Sequence, residues 1–253
     1  DTILNELRIL RHLRHPSLAL FQGACLDITS GEIRLVLERI CGQPLDVFIN
    51  RKLQVSSGLS NAPLQLDVML RLCGALIYLH SRKPAAVVHG DLKPSNILIE
   101  FRELGPFPKL IDFGFSRLRT RHALFGGGTP RYMAPEVVPG GLLPGHGERH
   151  SPHPAADVFS FGRLLFFVSS GHRPFVDLKA VELRKRIKDR KPFPPLSWTP
   201  SNALLERWRP IVEQCTRLIV KERPTMREVS KLLRVLGADL RPGPSESGQP
   251  KTN

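Results

Sequence analysis

The sequence predicts an α+β fold in which one helix and a few strands precede a larger, mainly helical body. Apolar side chains recur at helical spacing in residues 3–14 and 66–82, whereas residues 17–26 and 33–38 have the composition of strands. Further helical stretches follow between residues 156 and 236. The 253 residues, of which 41% are hydrophobic and 24% are charged, suffice for one large domain or two small ones.

The N-terminal elements are bounded by recognisable signals. Glu6 lies beside the apolar stripe of the first helix, and His15-Pro16 ends that helix because a residue before proline avoids the α region. The Asp-Ile-Thr-Ser-Gly segment at 27–31 predicts a turn between the two strands. Residues 51–64 are polar and predict a loop before the amphipathic helix at 66–82.

The remaining elements follow the same two periodicities. Short strands are predicted at 86–88, 97–99 and 109–111, with a turn containing Gly105, Pro106 and Pro108 between the last two. The predicted helices after them cover about 156–170, 177–190, 202–219 and 225–236. The tail at 239–253 has no apolar periodicity, and we expect it to be disordered.

The net charge of +14 has two interpretations, a nucleic-acid or acidic-lipid surface and a soluble domain that binds acidic substrates or phosphates. Aromatic residues make up only 7%, and no basic run is interleaved with them, which argues against nucleic-acid binding. No apolar run approaches the roughly 20 residues that span a bilayer, so no membrane partner is expected.

The four cysteines indicate a compartment rather than a site. Cys25, Cys41, Cys73 and Cys215 are far apart and form no C-x-x-C pair, which argues against a disulfide framework or a zinc ribbon. A reducing, cytoplasmic location is therefore expected, and a nuclear one is compatible with the same observation.

The segment HGDLKPSN at 89–96 places a carboxylate, a cation and a carboxamide in one loop after a short strand. Asp91 can orient a hydroxyl group and accept its proton, and Lys93 can balance charge on a transferring phosphoryl group. Asn96 offers an oxygen of the kind that Mg²⁺ prefers. The alternative is a polar turn without chemistry.

A second acidic group follows at the end of the apolar strand KLID. Asp112 begins the tripeptide Asp-Phe-Gly, and a hairpin between residues 97 and 111 would bring Asn96 and Asp112 to the same end. Both side chains could then reach one metal ion. Gly114 suits a position where the backbone angles must change.

A third motif, GTPRYMAPE at 128–136, ends in Ala-Pro-Glu. Together with the loop at 89–96 and Asp-Phe-Gly at 112–114, it resembles the H-R-D, D-F-G and A-P-E series of eukaryotic-type protein kinases. The resemblance covers roughly residues 3–236. Lys93 and the segment before A-P-E resemble the serine/threonine-specific members, and the stretches LVLERICGQPLDVFI and DVFSFG resemble the tyrosine-kinase-like group.

The resemblance implies a two-lobed fold. Its parts would be a small lobe at 1–38 with helix αC and strands 4 and 5 of the family, a hinge at 39–42, and a large lobe at 43–238 that holds the catalytic loop 89–96, D-F-G 112–114 and A-P-E 134–136. The implied reaction transfers the γ-phosphoryl group of ATP, with Mg²⁺, to a serine or threonine hydroxyl of a protein substrate.

The resemblance also assigns residues by position. The catalytic group would be Asp91, Lys93, Asn96 and Thr129, with Asn96 and Asp112 as metal ligands. The nucleotide would contact Leu37, Glu38, Ile40, Leu98 and Asp112. Structural roles would belong to Glu6, His89, Phe113, Gly114, Glu136, Asp157 and Arg223, with Arg223 paired to Glu136.

Two parts of the family pattern do not occur in the 253 residues. There is no G-x-G-x-x-G, and the only lysines before the catalytic loop are Lys52 and Lys83, neither of which lies on a small-lobe strand. Two explanations remain open: an N-terminally truncated fragment of a full catalytic domain, or a pseudokinase-type scaffold or regulatory binding module. Because the chain begins inside the first helix without a methionine, we expect a fragment.

Gly90 replaces the arginine that, in the family, receives an activation-loop phosphate. We therefore predict that any activity does not require phosphate on the loop that follows Asp112. In an activity assay of the full-length protein, Thr120→Ala should leave the rate largely unchanged, because no arginine directly precedes Asp91 to receive a phosphate from this loop. A large loss of activity in this variant would contradict the prediction.

Overall fold

The computed structural model describes residues 2–30, 32–55, 61–114, 116–118, 129–137, 153–189, 191–198 and 202–238. The helices are α1 (Thr2–Leu10), α2 (Leu45–Val55), α3 (Ala62–His80), α4 (Pro154–Ser170), α5 (Ala180–Lys188), α6 (Ala203–Cys215) and α7 (Met226–Ala238). The strands are β1 (Phe21–Leu26), β2 (Ile33–Leu37), β3 (Gly42–Pro44), β4 (Val87–Val88), β5 (Ile97–Arg102), β6 (Gly105–Leu110) and β7 (Arg117–Leu118). Single 3₁₀ turns cover Pro94–Asn96, Pro135–Val137 and Val220–Glu222. The predicted α+β class is confirmed.

The N-terminal part is built on the antiparallel pair β1 and β2, with Leu26 opposite Ile33. Asp27 organises the predicted turn, because its Oδ1 atom accepts hydrogen bonds from the backbone N–H groups of Thr29, at 2.9 Å, and Ser30, at 3.2 Å. Such local hydrogen bonding is the usual reason for aspartate in a turn.

The first helix is shorter than predicted. It ends at Leu10, and the chain then leaves the helical path so that Leu13 still reaches the core. The backbone N–H of Arg14 donates to the hydroxyl of Tyr78 on α3 at 2.8 Å. A contact with a distant helix therefore replaces the last turn that the apolar spacing predicted.

The predicted loop at 51–64 is wrong at both ends. Helix α2 continues to Val55, and α3 already begins at Ala62. The signal for α2 lies before the polar stretch, where Leu45, Phe48 and Ile49 have helical spacing and are fully buried. Asn50 and Arg51, which follow them, are exposed on the same helix.

The β5–β6 hairpin turns earlier than predicted. The turn is at Glu103 and Leu104, and β6 begins at Gly105, whose φ of 107° favours glycine. Pro106 and Pro108 therefore lie within a strand. They are tolerated because β6 is the edge of the β3-β5-β6 sheet, where a missing N–H costs no interstrand hydrogen bond.

The core of the large part lies between α3, α4, α6 and α7, with α4 against α6 and α3 against α7. The expectation that no apolar run approaches membrane-spanning length is wrong for α3, which alone among the described segments is long and apolar enough, with a mean hydropathy of 1.4 over its apolar window. Of that window, 56% is buried inside the protein, as in the core helix of a globular domain.

The two parts are joined by backbone hydrogen bonds next to the end of β6. Leu18 forms a parallel bridge with Leu110. The N–H of Ala19 donates to the carbonyl of Leu110, and the N–H of Leu110 donates to the carbonyl of Ser17, both at 2.9 Å. The position of the N-terminal part is thus tied to the strand that leads to Asp112. Thr120 and the tail at 239–253 lie outside the described residues.

Two helical glycines predict opposite effects of the same substitution. A Cβ atom at Gly162 on α4 would lie 2.6 Å from the Cβ atom of Cys215 and 3.0 Å from Cγ2 of Thr216. Gly162→Ala should therefore lower the free energy of unfolding by about 1–3 kcal/mol through overpacking. At Gly74 on α3 the nearest atom would be 3.8 Å away, so Gly74→Ala should raise it by about 0.5–1 kcal/mol.

Urea unfolding of both variants checks the pair. Equal effects of the two substitutions would contradict the close α4–α6 approach.

Candidate active site

The Asp91 carboxylate is held by the three other residues that the sequence predicted as catalytic. Its Oδ1 atom accepts hydrogen bonds from the backbone N–H and the hydroxyl of Thr129, both at 2.8 Å. Its Oδ2 atom accepts from Lys93 Nζ at 2.5 Å and from Asn96 Nδ2 at 3.2 Å. These four side chains, distributed over two segments, therefore form one hydrogen-bonded cluster around a carboxylate that is only 3% exposed.

Asp157, in the first turn of α4, lies beneath this loop. Its carboxylate accepts from the backbone N–H groups of His89 and Gly90, both at 2.9 Å, and contacts Nε2 of His80 at 2.8 Å. Burial alone would raise the pKa of Asp157, but the hydrogen bonds and the neighbouring imidazoles hold it below its ordinary value. His80 lies within the predicted helix at 66–82, and the sequence contained no signal for its contact with Asp157.

His89 is fully buried and is bonded through both ring nitrogens. Nδ1 accepts from the N–H of Asp91 at 3.3 Å, and Nε2 is 3.2 Å from the carbonyl of Ile111, to which it donates in the matching tautomer. Its ring meets the edge of Phe113, with centroids 5.1 Å apart. Burial lowers the pKa of His89, and only the neutral ring retains an acceptor for Asp91.

Gly90 has a φ of 82°, in the left-handed region. A residue with a Cβ atom would cost roughly 1–2 kcal/mol there. The glycine that replaces the arginine of the family pattern thus relieves backbone strain at the turn into Asp91.

The β5–β6 register brings Asp112 close to Asn96. The N–H of Ile111 donates to the carbonyl of Asn96 at 2.9 Å, so Asp112 follows immediately after this contact. Asp112 itself has a φ of 64°, and its Oδ1 atom accepts from the N–H of Gly114 at 3.1 Å. The carboxylate of Asp112 is exposed, whereas the amide nitrogen of Asn96 is bonded to Asp91. This leaves the amide oxygen of Asn96 and the Asp112 carboxylate as hard oxygen donors.

Glu6 on α1 lies against the backbone of the D-F-G segment. It accepts a hydrogen bond from the N–H of Phe113, and its Oε2 atom would be 3.9 Å from a Cβ atom at Gly114. Burial and the charge of Asp112 raise the pKa of Glu6. In the part of the chain that the structure describes, no lysine or arginine forms an ion pair with Glu6.

An ion pair that the sequence did not indicate lies immediately before the predicted hinge. Glu38 accepts from Nζ of Lys109 at 2.5 Å and from the N–H of Leu20 at 2.8 Å. Burial opposes ionisation of Glu38, but these donors hold its pKa below the ordinary value. Since Lys109 lies on β6, three residues before Asp112, the pair ties the residue before the hinge to the strand that leads to Asp112.

The residues predicted to contact the base of a nucleotide lie on both sides of the hinge. Leu98 is half-buried and points away from the core, because its neighbours Ile97 and Ile99 on the same strand are fully buried. Leu37 and Ile40 are also half-buried. Leu98 is opposite Lys109 in the hairpin, so it lies on the same face of the sheet as the Lys109–Glu38 pair.

Glu136 and Arg223 form the predicted pair as a bidentate ion pair. Nη1 of Arg223 is 2.5 Å from Oε1 of Glu136, and Nη2 is 2.8 Å from Oε2. Arg223 also donates to the carbonyls of Ala155 and Arg217. Because both partners are buried, removal of either side chain should cost about 3–5 kcal/mol of stability.

Arg163 is a further positioning residue that the sequence did not single out, since it lies in an apolar stretch of α4. Its Nη1 atom donates to the carbonyls of Arg131 and Met133, both at 3.0 Å. Its guanidinium group also lies over the ring of Phe159, 4.4 Å from the centroid. Burial and the charge of Arg223 lower the pKa of Arg163 to about 9. Arg163 thus attaches the segment from Thr129 to Met133 to α4.

Comparison with known proteins agrees with this geometry. The model of the protein kinase domain matches residues 1–232. U-box domain-containing protein 70 of Oryza sativa subsp. japonica is 35% identical over 67% of the chain, which spans 20% of that protein. The ovarian-specific serine/threonine-protein kinase Lok of Drosophila melanogaster is 30% identical over 90% of the chain, which spans 45% of that protein.

A relative with another specificity is similar at nearly the same level. The seven transmembrane domain-containing tyrosine-protein kinase 1 of Dictyostelium discoideum is 28% identical over 89% of the chain. The chain spans 30% of that protein and thus less than half the length of each of these relatives.

The buried His89 predicts a loss of stability on mild acidification. An unfolded histidine takes up a proton near its ordinary pKa of about 6.5, whereas the folded chain resists protonation of His89. The free energy of unfolding should therefore fall as the pH decreases from 7.0 to 5.5, and His89→Gln should reduce that fall. Urea unfolding at the two pH values measures the difference.

The exposed His12 provides the control, because His12→Gln removes a ring that folding does not bury. If His89→Gln and His12→Gln changed the pH dependence equally, His89 would not be the source of the effect.

Proposed function

The chain belongs to the protein kinase domain family, and from this premise we propose that it transfers the γ-phosphoryl group of ATP to a serine or threonine hydroxyl of a protein. The observation that carries the proposal is the Asp91 carboxylate, which Lys93, Asn96 and Thr129 hold in one orientation. The hydroxyl oxygen forms a bond to the γ-phosphorus, the bond from that phosphorus to the bridging oxygen breaks, and ADP leaves.

Within this reaction, the residues around Asp91 have separate tasks. Asp91 orients the acceptor hydroxyl and receives its proton as the new bond forms. Thr129 keeps one carboxylate oxygen in place, and the ammonium group of Lys93 lies where negative charge develops on the transferring group. Catalysis of this kind depends on positioning and on charge stabilisation rather than on a covalent intermediate.

The residues present also fit Mg²⁺, which prefers a few oxygen ligands together with phosphate oxygens. The Asn96 amide oxygen and the exposed Asp112 carboxylate are such donors, and the Asn96–Ile111 contact brings them to the same end of the hairpin. When bound, Mg²⁺ supplies neutralisation of charge on the phosphate oxygens. Leu37, Glu38, Ile40 and Leu98 would contact the base of ATP.

The choice of a serine or threonine acceptor is a finer part of the proposal. Lys93 and Thr129 support it, since both contact the Asp91 carboxylate and both belong to the motif pattern of serine/threonine-specific members. The similarity to Lok also favours it, although the Dictyostelium tyrosine kinase resembles the chain at nearly the same level.

A second candidate function is a scaffold or regulatory module that binds a partner without phosphate transfer. It is favoured by one observation on Glu6, which in the described part of the chain bonds to a backbone N–H and has no lysine partner. The 253 residues also contain no G-x-G-x-x-G. The intact Asp91, Asn96 and Asp112 favour the enzymatic function.

Asp91→Asn should lower the rate of phosphate transfer by about 10²–10⁴-fold, because the amide cannot accept the hydroxyl proton. The measurement is transfer of labelled γ-phosphate from Mg·ATP to a protein substrate, with identification of the phosphorylated amino acid. It is run on the 253-residue chain and on any longer natural form that contains it.

Asp67→Asn is the matched control, since this carboxylate lies on α3 in an exposed pair with Arg71. It should leave the rate unchanged. Equal transfer by Asp91→Asn and the parent protein would refute the catalytic role of Asp91. Absence of transfer in every form, with partner binding retained, would favour the scaffold.

A further inference from the structure

A cavity of about 370 Å³ lies directly beside the Asp91 cluster. Lys93 and Thr129, which both bond to the Asp91 carboxylate, form part of its wall. Arg131, Arg173 and Asp46 supply its other charged groups. The cavity therefore carries three cations and one carboxylate, next to the position that the proposed function assigns to the acceptor hydroxyl.

The two arginines that line the cavity differ in their hydrogen-bond partners and in their exposure. Arg131 is committed to the fold, because its guanidinium donates to the carbonyls of Pro174, Phe175 and Leu178. The side chain of Arg173 is 61% exposed and bonds to Asp46 at 3.2 Å. An exposed pair of this kind is worth only about 0–1 kcal/mol, so another anion can displace Asp46.

Tyr132 adds a polar group beside this pair. The residue is only 5% exposed, and its hydroxyl has no hydrogen-bond partner among the described residues. Tyr132 lines the same cavity as Arg173 and Asp46, and burial raises the pKa of its hydroxyl. A buried hydroxyl without a partner costs free energy that a new acceptor would recover.

We propose that this cavity binds an acidic side chain of the acceptor peptide, which replaces Asp46 as the partner of Arg173. This inference rests on the proposed function, since it assigns a substrate class to the same site. A cavity of this volume is about 9 Å across, which an extended chain covers in about three residues. The acidic residue therefore lies within three residues of the acceptor serine or threonine.

Peptide binding tests the proposal without requiring phosphate transfer. Fluorescence anisotropy compares three sets of labelled peptides that contain one serine. The sets are identical except that the residue placed one to three positions from the serine is aspartate, alanine or arginine. The full chain should bind the aspartate peptides most tightly. Arg173→Gln should weaken their binding about threefold to fivefold, because an ion pair of an exposed arginine is worth at most about 1 kcal/mol.

Two further variants make the result specific to this pair. Asp46→Asn should strengthen binding of the aspartate peptides about threefold, because it removes the competing carboxylate. Arg184→Gln, at an exposed position on α5, removes the same charge elsewhere and should change binding by less than about twofold. Circular dichroism establishes that each variant is folded.

Equal weakening by Arg173→Gln and Arg184→Gln would overturn the proposal, because attraction to the overall charge of +14 would then explain the binding. If Arg173→Gln did not fold, the direction of the Asp46→Asn effect would decide. Phosphate transfer without an acidic preference would refute this inference and leave the proposed function intact. An acidic preference without phosphate transfer would refute the proposed function and leave the acidic preference of the cavity intact.

Discussion

The buried carboxylate of Asp157 is the constraint on which the candidate site depends. An ionised carboxylate that is 1% exposed costs several kcal/mol unless donors surround it, and here the backbone of His89 and Gly90 and the ring of His80 supply them. The same bonds fix the backbone immediately before Asp91. The charge therefore stabilises one conformation of the catalytic loop, and α3 and α4 together determine where that loop lies.

The substrate side of the site follows from the same helix. Asp157 and Arg163 are six residues apart on α4, and they hold two different segments, the catalytic loop and the segment from Thr129 to Met133. Thr129 joins these two segments, because its hydroxyl donates a hydrogen bond to Asp91. One helix thus sets the distance between the carboxylate and the surface on which a peptide would lie.

Part of this arrangement could be predicted because it depends on local pattern. Helical spacing indicated α3, α4 and α7, and the strand–turn–strand order brought Asn96 and Asp112 to one end. Helix α2 was missed where its exposed face resembled a polar loop. The sequence did not indicate the roles of His80, Arg163 and Lys109. A single histidine or cation in an apolar stretch gives the same sequence pattern whether its side chain is exposed or paired. Their roles depend on partners distant in the chain, namely Asp157, Met133 and Glu38.

The charges around Asp112 separate the two candidate functions. Glu6 and Asp112 are both acidic, and their proximity raises the pKa of Glu6. An enzyme needs a cation here, since phosphate groups would otherwise add to this repulsion. A scaffold needs none, because the hydrogen bond from Phe113 already satisfies Glu6 in part. The Glu38–Lys109 pair is compatible with either function, because it positions the strand that leads to Asp112. A cation between Glu6 and Asp112 would therefore favour the enzymatic function that the Asp91 cluster supports.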